Sequence, residues 1–475
     1  MDRSSQKSFN FVNLTHPDEL KEEDTQLRIR RLAMTEVGKA RRKPKTRRGR
    51  NEIVLELRSN PQQRGSTRPR LDLEKFGGGN IDPFSPYPLE MDDNMRVLIA
   101  NIDLHSRVFS SNGNHQKLLR GAWYPVGLSD PATFTGVLAN SALYITMRQV
   151  GSFITEDSPE SLQYHSRTLS MVQTKLSDPN QHTTDALIGN IASLMCHDFI
   201  IGANESHNEH KKALMKILEL RGGLGTIERE DLRITLSWCD LAGVFQQDLP
   251  PEFPMPEKWV LDSKSPPSSP RPCSTISLLW KQQLPMELDW ISIFDDVVQL
   301  ISLDRAFSDG QIEAAVASGC WTEPTIVRLL SIRPLYRGNS RERVIEEVCR
   351  LGLLLFLSPI WRALGANPVR TTAFTRNLLW VLNNHMVEWK DLKPLLVWSI
   401  YLAAIEAYVP FERDQFVFML AVLMNGMQIK EWQDLMQVVQ SVLWVDKVFS
   451  DSEELIRHDV MTIVAGIPSR EAWTE

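Results

Sequence analysis

The chain has 475 residues, 42% of them apolar and 24% charged, an ordinary globular composition that excludes a fibrous or wholly disordered protein. It exceeds the roughly 250–300 residues at which one hydrophobic core stops growing, so one large domain with appendages or two packed lobes is expected. The net charge of −6 conceals an asymmetry, because residues 26–70 carry fifteen Lys or Arg against three acids, a local +12 that leaves −18 on the remainder. A basic arm on an acidic body suggests an arm that meets a polyanion and a body that does not.

The first predicted element, a basic amphipathic helix, lies within residues 1–40. Thr15 can cap it, and its first turn holds Pro17, Asp18 and Glu19, with carboxylates at the positive end of the helix dipole. Leu20, Ile29, Leu32, Ala33 and Val37 fall near one face, while Arg28, Arg30 and Arg31 point elsewhere. Two readings stand: a helix packed on the body by its apolar stripe, or an autonomous helix that turns Arg28, Arg30 and Arg31 to nucleic acid. Then come Lys39, Arg41, Arg42, Lys43, Lys45, Arg47, Arg48 and Arg50, eight cations in twelve residues with no acid among them. Burying such unpaired charge is prohibitive, so the block stays solvated or meets an anion. It reads as a nuclear-import signal, a nucleic-acid contact patch or a solvated linker.

Residues 41–94 form a basic, Pro/Gly-rich linker. Its Gly77-Gly78-Gly79 triplet is followed by prolines instead of a Lys-Ser/Thr helix start, so a turn is expected and not a phosphate loop. A first helical lobe is predicted over 95–249. Ser129-Asp130-Pro131, Ser158-Pro159-Glu160 and Thr184-Asp185 are helix starts, Ser206 and Glu209 have capping-box spacing, and Gly202 and Gly222-Gly223 are stops. Apolar stripes follow at three-four spacing, among them Phe134, Val137, Leu138 and Ala142, and then Leu162, Leu169, Val172 and Leu176. A Pro/Ser-rich insert at 250–275 has eight prolines between Pro250 and Pro272. A second helical lobe is predicted over 276–475, with helices at 284–307, 340–357, 371–389, 392–409, 413–424 and 432–449. The apolar run 351–361, bounded by Arg350 and Arg362, is too short for a membrane span of roughly 20 residues and reads as a core helix. The expected fold is all-α, a large helical bundle in two packed lobes preceded by a basic helix and a disordered linker.

Candidate chemistry is sparse. His207 and His210, with Cys196-His197 nearby, invite a metal reading, but no His-Glu-x-x-His or paired-cysteine spacing accompanies them. They are expected as solvated histidines on the first turn of a helix. Cys239 follows its helix period and is expected as a buried structural thiol. Trp380, Trp389 and Trp398, nine residues apart, are expected in the core and not as a base-stacking platform. The five cysteines are widely spaced without Cys-x-x-Cys, and the N-terminal residues lack the apolar core of a signal peptide, so a reducing compartment is expected. No Gly-x-Ser-x-Gly elbow is present. No catalytic residue, metal or cofactor is expected, and the chain does not read as an enzyme.

The order of several landmarks resembles one family. Phe11-Val-Asn-Leu-Thr-His-Pro-Asp-Glu-Leu20, Ile29-Arg-Arg31, Met34 and the Arg41-Arg-Lys43 run are similar to the N-terminal signature of fungal proteins that carry a fungal-specific transcription factor domain. Asp82-Pro-Phe-Ser-Pro-Tyr-Pro88, Leu128-Ser-Asp-Pro-Ala-Thr-Phe134, Glu219-Leu-Arg-Gly-Gly-Leu224 and Leu236-Ser-Trp-Cys-Asp-Leu241 continue the resemblance in the same order. It implies a helical regulatory domain, a nuclear location and a role in RNA polymerase II transcription; some relatives regulate metabolic or secondary-metabolite genes. Many relatives bind DNA through a six-cysteine zinc cluster ahead of that domain. Here no cysteine precedes Cys196, so the resemblance is to the group lacking the cluster, and zinc-dependent DNA binding does not carry over.

Eight bases alone would bind DNA weakly, without sequence preference and with a steep salt dependence. Reading of base edges would fall to the helix with Arg28, Arg30 and Arg31. The leading expectation is a nuclear transcription regulator whose helical domain binds a partner or effector, with a zinc-free basic arm that carries nuclear import and is a candidate for DNA contact. The alternative is a module that binds no DNA and recruits another transcription factor or a second copy, and the third reading is an enzyme using the helical body. No membrane partner is expected.

Overall fold

Asp92 opens the first described helix: its carboxylate accepts the Met95 N–H at 2.7 Å, and α1 (Asp93–Ile102) follows. The computed structural model describes residues 87–102, 123–257, 259, 322–363 and 368–466. The chain divides into two units, Met1–Arg70 and Leu71–Glu475, and all described residues lie in the second. The basic residues Arg28 to Arg50, the glycine triplet, most of the Pro/Ser-rich insert and the expected helix at 284–307 lie outside the described residues.

Each of the next three helices starts on a side chain that takes up free N–H groups. Asp130 Oδ2 accepts from Ala132 (2.9 Å) and Thr133 (3.2 Å) and opens α2 (Pro131–Val150). Ser158 Oγ accepts from Ser161 and opens α3 (Pro159–Leu176), and Thr184 Oγ1 accepts from Leu187 and opens α4 (Asp185–Ile201). In all three the missing or free donors of the first turn are accommodated as helix capping requires. Gly202 (φ 77°) ends α4, and Gly222 (φ 104°) ends α5 (Asn204–Arg221), both in the left-handed conformation that side chains disfavour. The helix α6 (Glu230–Phe245) closes this group.

Two local expectations are corrected. α5 starts at Asn204, not beyond Ser206, and no side chain caps it. The Gly202 turn already satisfies the end of α4, with Ala203 N–H donating to Asp198 O at 2.8 Å, so the chain re-enters helix within two residues. On α3 the stripe is rotated: Ser161, Tyr164, Thr168 and Val172 are buried, whereas Leu162 and Leu176 are exposed.

Residues 322–466 continue as α7 (Thr322–Ser331), α8 (Arg341–Ala363), α9 (Thr372–Asn384), α10 (Lys393–Glu406), α11 (Pro410–Gly426), α12 (Trp432–Gln440), α13 (Asp446–Phe449) and α14 (Arg457–Gly466). No strand occurs among the described residues, and the fold is all-α. α10 is the axle of this group. Leu395 to Ala404 are buried around its whole circumference, and α8, α9, α11 and α12 pack against it. Each such aliphatic side chain contributes about 1.5–3 kcal/mol when fully buried. The 351–361 run lies inside α8 as core, as expected, but Arg350 does not bound it from solvent, being itself buried. The expected single helix over 432–449 breaks between α12 and α13. Val442, Leu443, Trp444 and Val445, in the non-helical stretch between them, are all buried in the core.

The largest core spans α7 to α14 and also takes in Leu241, Val244 and Phe245 from the end of α6. Phe245 meets Trp361 and Phe374 edge-on at 4.9 and 4.7 Å. Separate apolar clusters lie beneath α1 and α2 and between α4, α5 and α6.

Helices α8 and α10 cross at Gly352, where a Cβ would sit 2.5 Å from Ser399 Oγ and 2.9 Å from Trp398 Cζ3. Gly352→Ala is therefore expected to lose about 1–2 kcal/mol in chemical unfolding, overpacking exceeding the gain in helix propensity. Gly426→Ala, at the open end of α11 with nothing within 4 Å, is expected to be neutral or stabilising by up to about 1 kcal/mol. Equal effects at the two positions would refute the close crossing.

Candidate functional site

The sequence singled out Lys39, Arg41, Arg42, Lys43, Lys45, Arg47, Arg48 and Arg50, and separately Arg28, Arg30 and Arg31; all lie outside the described residues. Within them, polar chemistry gathers at three joints between helices. The first centres on Asp248, just beyond α6, in a left-handed conformation (φ 53°) that Asp tolerates better than most residues. Arg350 of α8 donates to both its carboxylate oxygens at 2.7 and 2.9 Å, and also grips Glu347 at 2.6 and 3.0 Å. Arg333 approaches Asp248 Oδ1 at 3.4 Å and donates to its carbonyl at 2.8 Å, while Asn377 Nδ2 of α9 donates to Oδ2 at 2.7 Å. Two guanidinium groups thus face two carboxylates in a buried setting. Burial works against the Arg350 charge, but Asp248 and Glu347 outweigh it and hold the guanidinium above its ordinary pKa.

The second joint is Arg370, in the segment before α9. Its guanidinium donates to Phe199 O (2.8 Å) and Ile200 O (2.7 Å) in the last turn of α4, and to Ile154 O (2.8 Å) in the α2–α3 loop. It also lies 5.1 Å from the centre of the Phe153 ring. Unlike Arg350 it is held mainly by carbonyls, which are partly negative at a helix C-terminus. Burial pushes its pKa down to about 10.

The third joint is a group of histidines and aspartates. His165 of α3 stacks on His197 of α4, ring centres 3.8 Å apart and 22° from parallel. His197 Nδ1 lies 3.2 Å from Asn140 Oδ1, and its Nε2 lies 3.0 Å from Asp157 Oδ1. His210 of α5 pairs with Asp198 at 2.6 Å. Burial lowers the pKa of both stacked rings, His165 to about 4, with the neighbouring His197 adding to the effect.

His207 is not the solvated surface residue expected. The earlier start of α5 places it a full turn inside the helix, where it is wholly buried over Gly243 and its Nε2–H donates to Cys239 O at 3.3 Å. Burial lowers its pKa. His210, half-buried, is also paired instead of free. Cys239 is buried as expected. Burial pushes the Cys196 thiol up to about 12 and those of Cys239 and Cys349 well above their ordinary value, so all three are protonated and weakly nucleophilic. Trp389 and Trp398 are core, but Trp380 is 54% exposed and meets His385 edge-on. Among the described residues no group of three or more His, Cys, Asp or Glu is set to hold a metal ion, and no helix is long and apolar enough to cross a membrane.

Sequence reasoning missed all three joints as assemblies. A lone arginine such as Arg350 inside the apolar stretch of α8 was the one local signal, since a charge in a buried helix needs partners. Asp248 lies 102 residues away from it, and no spacing rule links the two.

What these joints do chemically is hold helices together through matched charges and carbonyls. A family model for the fungal specific transcription factor domain matches residues 103–444, more than half of the chain and almost the whole span in which they lie. No curated protein and no solved structure matches the chain. With that match over an all-helical body, the chain belongs to the fungal specific transcription factor domain family, and is a transcription regulator.

Proposed function

We propose that this protein is a nuclear regulator of RNA polymerase II transcription with a zinc-free basic arm. In this reading the helical body is a regulatory domain and not a catalytic one, and the basic arm contacts DNA. The observation that carries it is the family match over 103–444, preceded by eight cations in twelve residues. Arg41, Arg42, Lys43, Lys45, Arg47, Arg48 and Arg50 would neutralise phosphates, and Arg28, Arg30 and Arg31 would reach base edges from the preceding helix. Metabolic or secondary-metabolite genes are the target class proposed, by likeness to some members of the family.

The test is retention of genomic DNA fragments by the full-length protein and by a variant with those seven arm residues changed to Ala, at low and physiological salt, with sequencing of what is retained. Enrichment of a shared sequence at physiological salt that disappears in the variant is expected. Retention of all fragments at low salt and none at physiological salt would reduce the arm to an import signal. The protein would then act by recruiting another transcription factor or a second copy.

A further inference from the structure

Helix α3 is held differently from its neighbours. Its buried side chains are Ser161, Tyr164, Thr168 and Val172, only one of them aliphatic, whereas α10 buries an unbroken apolar circumference. Tyr164, Val172 and the partly buried Leu169 join apolar clusters, and α3 packs along α2; its other attachments are polar. Glu160 accepts from Asn94 of α1, Ser161 Oγ donates to Asp157 at 2.7 Å, and Lys175 pairs with Asp130 and donates to Asn190 at 3.1 Å. Midway along the helix, the His165 ring lies flat on the His197 ring of α4. The ring pair is a titratable tie among these, and a helix whose ties to one neighbour weaken opens locally before the whole fold does.

We propose that α3 forms a proton-sensitive flap, closed on α4 by the His165–His197 stack and released when that stack takes up protons, while the preceding loop stays tied at Ile154 by Arg370. Two imidazolium rings 3.8 Å apart repel, so a doubly protonated stack cannot persist. The other ionisable groups around the pair are Asp157 from the loop, Asp198 of α4 and His210 of α5. The carboxylates favour protonation of the rings, while burial and His210 oppose it. For His165 the opposing terms win, and its pKa in the closed form is about 4 against an ordinary 6.5. The open form therefore binds protons more tightly. The closed form has its full advantage above pH 6.5 and loses it as pH falls towards 4. For His165 alone, the linkage between those two values gives about a 30-fold rise in the opening equilibrium between pH 7.5 and pH 5.

Hydrogen exchange with mass spectrometry on the full chain tests this, with rates corrected for the intrinsic effect of pH. Amides of α3 (Pro159–Leu176) are expected to lose protection about 30-fold at pH 5 relative to pH 7.5, while those of α10 keep theirs. His165→Phe keeps a flat ring on His197 and removes this titration, and is expected to cut the change to below about 3-fold. Equal loss in α3 and α10 would mean global unfolding and would overturn the flap. Unchanged protection of α3 would do the same. A full pH response persisting in the variant would overturn the role of the stack. Should the variant fail to fold, comparison of α3 with α10 in the unmodified chain still decides the matter.

Discussion

Replacing Asp248 by alanine is expected to lower the unfolding free energy by about 3–5 kcal/mol, the cost of breaking a buried ion pair from one side. Arg350 is 1% exposed and cannot reach water when its partner is removed. Two guanidinium groups would then share Glu347 alone, and Asn377 Nδ2 would lose its acceptor. Most of the loss comes from the orphaned cation and not from the worth of the pair, which makes a second result checkable. Arg350→Met removes that cation while keeping apolar bulk in the core, so the double variant should lose less than the sum of the two single losses, by about 2 kcal/mol or more. Chemical unfolding of the four proteins measures this, and strictly additive losses would refute the network.

The contrast between Asp248 and the helix caps shows what a sequence carries openly. Asp130, Ser158, Thr184, Gly202 and Gly222 act on groups within about a turn of themselves, and each was legible with its role. The circumferential burial of α10 was legible for the same reason, since no solvated face interrupts it. Burial that depends on a neighbour was not. His207 reads as polar until Gly243 on another helix provides its slot, and Leu162 reads as core although Tyr164 and Thr168 take the packed face of α3. α7 and α14 are short and were passed over. The pairs that define the three joints include His165–His197, 32 positions apart, Arg350–Asp248, 102 apart, and Arg370–Ile154, 216 apart, separations across which periodicity and capping rules say nothing.

Arg370→Met should cost about 3 kcal/mol, and its size follows from what the guanidinium leaves behind. Phe199 O and Ile200 O belong to the last turn of α4, where carbonyls run short of helical donors and Phe199 O keeps only the Gly202 N–H at 3.2 Å, and Ile154 O lies in a loop that Arg370 ties to that turn. A buried carbonyl stripped of its donor costs about 1–3 kcal/mol, and the exposed edge of the site lets water recover part of that. Lysine is a poor substitute, because one ammonium cannot match a planar fork that spans three carbonyls and also lies over the Phe153 ring. Arg370→Lys should therefore recover less than half of the loss. The pH dependence separates this joint from the histidine stack. Arg370 has a pKa near 10 and stays charged from pH 5 to pH 8, so the difference between wild type and Arg370→Met should be flat over that range in thermal or chemical unfolding. A difference that grew on acidification would mean that Arg370 acts through His165 and His197, and the two joints would have to be treated as one.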